Sequence, residues 1–68
     1  MIEEFQDYLM RVHGVLPNMA GEIHDAAYDA DEQGLRMLDF ADGPTPGQMI
    51  AWYHEWQRSV GELCSKTN

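Results

Sequence analysis

An all-α fold is predicted from three observations. Apolar residues recur at three- and four-residue steps through most of the 68-residue chain. No segment alternates with the two-residue period of a strand, and β-branched residues are few. Two clusters of helix-stop and helix-start residues, Gly14 to Asn18 and Asp42 to Thr45, divide the chain into helical segments at about 2–13, 18–41 and 46–66.

The first segment places Ile2, Phe5, Leu9 and Val12 on one stripe with Tyr8 beside them, and Asp7 stands four residues before Arg11, a spacing that favours an ion pair. Gly14 suits a left-handed helix stop, and Pro17 or Asn18 opens the next segment.

The second segment reads as one rod. Met19, Ala20, Ile23, Ala26, Ala27, Ala30, Met37 and Leu38 share a face at about 100° per residue. Glu22, Asp25, Asp29, Glu32 and Asp39 fall on the opposite face, interrupted only by Arg36, and a row of His24, Tyr28, Asp31 and Leu35 forms the rim.

The third segment opens with a Thr45-x-x-Gln48 capping box and Pro46 at the first helical position. Its stripe comprises Met49, Trp52, Tyr53, Trp56, Val60, Leu63 and Cys64, with Arg58 and Lys66 flanking Glu62 at helical spacing. Ile50 here, and Met10 in the first segment, point away from their stripes. The short link at 42–45 implies that the two long segments form an antiparallel hairpin, half covered by the short first helix: a three-helix bundle in one domain, 1–68.

A chain this short buries only roughly 60% of its unfolded surface, so oligomerisation is a common compensation. Cys64, the only cysteine, excludes an internal disulfide and suits a reducing cytoplasm as core filler. A homodimer is expected, with Tyr28, Leu35, Met49, Trp52, Tyr53 and Trp56 in the core or at the interface. No apolar run is long enough to span a membrane, and Met1-Ile2-Glu3-Glu4 is acidic where a signal peptide would be basic.

Twelve acidic residues against four basic ones give a net charge of −8, which repels nucleic acid and anionic membranes and attracts basic partners. Hydrophobic residues at 44% separate this composition from that of a disordered acidic chain.

Tempting sites fail on spacing. Asp29-Ala30-Asp31-Glu32-Gln33-Gly34 resembles the start of an EF-hand loop, but Phe40 stands where the bidentate glutamate is needed and Arg36 where an apolar residue reaches the core. Gly34 is then a tolerated helix residue or a close-packing point. His13, His24 and His54 lack the Glu-x-x-His or His-x-x-x-His spacing of helical metal sites, and His13 is more simply a favourable charge at a helix C-terminus. Neither Cys64 nor the serines and threonines sit in a nucleophile elbow, and a thin hairpin leaves little room for a pocket of ~300 Å³. No metal, no cofactor and no catalytic activity are expected.

The acidic stripe remains. Glu22 to Asp39 spans roughly 25 Å of uninterrupted helix, with one charge per ~5 Å, against ~3.4 Å per phosphate along a single strand. The expected function is a small inhibitor or regulator that docks this face on a basic surface of a larger protein, a nucleic-acid-binding surface being one option, of the kind encoded by phages or mobile elements. A structural or chaperone subunit binding through its apolar stripe is the alternative.

Overall fold

The computed structural model describes the backbone of residues 3–66 and the side chains of residues 3–61. It is all-α, with four helices among the described residues: α1 (Phe5–His13), α2 (Pro17–Tyr28), α3 (Glu32–Met37) and α4 (Pro46–Lys66).

α1 ends at Gly14, whose φ of 65° is the left-handed cap that lets its N–H return to the Leu9 carbonyl. Pro17 opens α2 at its first helical turn. At α4 the Thr45 Oγ accepts from the Gln48 N–H at 3.2 Å, the backbone half of the expected capping box.

The single rod expected over 18–41 is not formed. α2 stops at Tyr28, Ala30 adopts φ 55°, and Asp31 starts a new helix by accepting the Gln33 N–H at 2.9 Å. A capping aspartate followed by an acidic first turn outcompetes helix continuation here. The interruption resets the helical phase, so residues placed by extrapolating from α2 land elsewhere. Leu35, assigned to the rim, is in the core, whereas Met37, assigned to the apolar face, is 83% exposed, and Ala30 is exposed too. The rotation follows from the three non-helical residues between the helices.

The hairpin is reorganised as well. α1 packs against both α2 and α4, and α3 packs against α2 and α4, while α2 and α4 share no extended approach. The short first helix is thus a central partner. The core comprises Phe5, Tyr8, Leu9, Val15, Ala20, Ile23, Ala27, Leu35 and Met49. Met10 and Ile50, read as pointing away, are half-buried and pack against it. A methyl on Gly34 would meet the Ala26 carbonyl oxygen at 3.5 Å, so α3 approaches α2 closely there without requiring glycine. The expectations for Ile2 and for Glu62, Leu63, Cys64 and Lys66 fall outside the described side chains.

Candidate interaction surface

Glu22, Asp25 and Asp29 sit three and four residues apart, within about 60° of one another around the α2 axis. They face away from the buried Ala20, Ile23 and Ala27, and all three are exposed. Asp29 is also the residue that closes α2. Among the described residues no Arg or Lys lies within ion-pair distance of them; the nearest basic group is His24, 3.5 Å from Asp25.

Glu32 and Asp39 do not extend this row, because they lie beyond the break. Glu32 belongs to α3 and reaches His54 of α4 at 3.6 Å, and Asp39 follows the end of α3. Three charges over roughly 10 Å replace five over roughly 25 Å.

Tyr28 stands beside this acidic group, 81% exposed, its ring 5.8 Å from that of His24. The other residues expected in the core or at the interface lie in or against the core. Leu35 and Met49 are 1% and 0% exposed, and Trp52, Tyr53 and Trp56 are half-buried against the core. Phe5 contacts Tyr53 edge-on at 5.2 Å and Trp56 at 5.4 Å.

A polar clasp, not foreseen from the sequence, ties α1 to α4 and to the segment before it. Arg11 forks onto Glu3 through Nε and Nη2 at 2.9 and 2.8 Å, in place of the expected partner Asp7. Glu3 precedes the helix and can turn both carboxylate oxygens toward the guanidinium, which suits its planar fork. Hydrogen bonding from Arg11 holds the Glu3 carboxyl below its ordinary range. Trp56 Nε1 donates to the Glu3 carbonyl at 2.8 Å, so the same residue is held at backbone and side chain.

At the C-terminal end of α1, His13 Nε2 lies 2.8 Å from Glu55, and its ring stacks on Trp52 with centroids 4.3 Å apart. Burial, reinforced by its hydrogen bond to Glu55, raises the Tyr8 hydroxyl to about 12. Hydrogen bonds from Tyr8 and then His13 lower Glu55. The signal for this network was present as Tyr8 and His13 in α1 opposite Trp52 and Glu55, but only the helix pairing reveals it.

The EF-hand-like segment is the α2–α3 connection itself, and an Asp31 oxygen is engaged in capping. Among the described residues, no three His, Cys, Asp or Glu side chains converge on a common point, and no helix is long and apolar enough to cross a membrane. The chain does hold a cleft of about 310 Å³, lined by residues of the α1–α2 link, α2, the 42–44 turn and α4. The estimate from a plain hairpin had left little room for this volume. A smaller cleft of about 240 Å³ lies between the α2–α3 corner and α4.

Comparison with protein-family models, curated proteins and solved structures finds no match to this chain.

Proposed function

We propose that this protein is a non-catalytic, cytoplasmic binding module that docks on a basic surface of a larger protein and regulates or inhibits it. The observation that carries the reading is the exposed group Glu22, Asp25 and Asp29, unpaired with Arg or Lys among the described residues. In a chain of net charge −8 this group adds to a field that steers cationic partners.

Each exposed ion pair is worth only about 0–1 kcal/mol, so the carboxylates govern association rate and specificity. Affinity needs apolar burial, for which Tyr28 stands beside the charges, and tyrosine is enriched among binding hot spots. The shortened row does not have the length of an extended phosphate strand, which leaves recognition of a local basic patch as the mechanism.

Affinity capture from the source cell tests this directly. The wild-type chain should retain a basic protein that the triple variant Glu22→Lys, Asp25→Lys, Asp29→Lys loses, with unchanged helical circular dichroism. Equal retention by a folded triple variant would refute the proposal.

A second reading, an assembly subunit or homodimer joined through apolar surface, is favoured by Tyr28 and Met37 at 81% and 83% exposed. Sedimentation velocity in low and high salt separates the two, because apolar self-association persists in salt whereas charge-steered docking weakens.

A further inference from the structure

The cleft of about 310 Å³ is open to the surface and has a glycine at each of two turns that line it. Gly14, on one side, has a φ of 65°, which other residues adopt only with strain. On the other side, a Cβ on Gly43 would come within 2.7 Å of the Phe40 Cβ. Between them Val15, Leu16, Met19 and Trp52 supply apolar surface, and Asp42 and Gln48 supply polar groups. Trp52 is held in place by its stack on His13, so this wall is already oriented. Leu16 is 60% exposed, leaving apolar surface that an occupant would cover.

Size and charge select the occupant. Small-molecule sites run from roughly 300 to 1,000 Å³, so this volume lies at the lower end of that range, too small for an extended cofactor and sufficient for one large side chain. Asp42 in the wall and a net charge of −8 favour a positively charged neighbour. The smaller α3–α4 cleft makes no comparable offer, since its Asp31 caps a helix and its Glu32 faces His54.

We propose that this cleft receives a single large apolar side chain, aromatic or leucine, carried on a basic peptide segment whose lysine or arginine pairs with Asp42. The inference rests on the proposed docking to a basic protein and adds to Tyr28 a second apolar anchor. An apolar side chain seated against Leu16, Met19 and Trp52 supplies affinity, and the neighbouring Asp42 supplies orientation.

The test titrates isotopically labelled protein with three blocked peptides, Lys-Lys-Phe-Lys-Lys, Lys-Lys-Ala-Lys-Lys and Glu-Glu-Phe-Glu-Glu, followed by amide and indole NMR shifts. The first should move Leu16, Gly43, Gln48 and the Trp52 indole, and bind roughly tenfold tighter than the alanine peptide. Leu16→Ser should remove that advantage without changing binding of the alanine peptide. The acidic peptide should not bind. Equal affinity of the two basic peptides, or shifts that avoid the cleft, would overturn the anchor while leaving basic docking intact. Failure of both basic peptides to bind would overturn the docking and the anchor together. Equal binding of the acidic peptide would overturn the requirement for positive charge.

Discussion

His13 stacks on Trp52 with ring centroids 4.3 Å apart and planes inclined by 15°. The contact joins the last turn of α1 to α4, and Glu55, three residues beyond Trp52, bonds the same imidazole at 2.8 Å. Because α1 also packs on α2, this clasp ties the two halves of the fold together and orients one wall of the larger cleft. His13→Ala should therefore lower stability by about 1 kcal/mol, seen as a Tm roughly 4–8 °C lower. His13→Phe should recover part of the loss by keeping the stack without the Glu55 bond.

The phase change across the α2–α3 break separates core from surface in a way that mutation can read. Leu35→Ala and Met49→Ala should each cost about 2–5 kcal/mol, because both side chains are enclosed within one chain. Tyr28→Ala should change stability by less than about 0.5 kcal/mol. Chemical denaturation at several protein concentrations checks both, and a concentration-dependent loss for Leu35→Ala would place that residue between subunits instead.

Ala30 carries the backbone strain of the connection, with φ at 55°. Left-handed backbone costs an L-residue roughly 1–2 kcal/mol, and glycine is free of that penalty. Glycine's greater unfolded-state entropy offsets part of the gain. Ala30→Gly should therefore raise Tm by several degrees. The converse change at the cap, Asp31→Ala, should cost about 1 kcal/mol by removing the acceptor of the Gln33 N–H.

Acid and alkali should weaken the α1–α4 clasp from opposite ends. Glu3 and Glu55 are lowered in the folded protein, so their contribution is present above the unfolded carboxylate range and is lost as pH falls through their folded values. Tyr8 is raised to about 12 from 10.0, so its contribution is complete below pH 10 and disappears as pH climbs toward 12. Tm measured from pH 7 to 11 should fall above pH 10 in the wild type. Tyr8→Phe should remove that component of the fall, and an unchanged alkaline limb would exclude Tyr8 as its source.

Helix content was legible from the sequence because the apolar spacing of α1, α2 and α4 largely survives in the fold; Val12, placed on the α1 stripe, is the departure, at 42% exposed. The Thr45–Gln48 cap and the Gly14 stop were legible because their local chemistry agrees with the tertiary arrangement. The break after Tyr28 was not read, since the acids and alanines of 29–32 fit a continued helix as well as a turn. Its available cue was Asp31 followed by Glu32, a helix start embedded within a helical period. The acidic residues were found, yet their alignment depended on that one connection, so Glu32 and Asp39 separated from Glu22, Asp25 and Asp29. The clasp and the cleft depend on where α1 packs, which periodicity along the chain does not encode.

Charge-directed docking through α2 is tested most directly by the salt dependence of affinity for the captured partner, measured by calorimetry from low to high ionic strength. The account predicts that affinity falls steadily with salt for the wild type and that the Glu22, Asp25, Asp29 lysine variant is weak at every salt concentration. Affinity that is independent of salt and unchanged in the variant would contradict it.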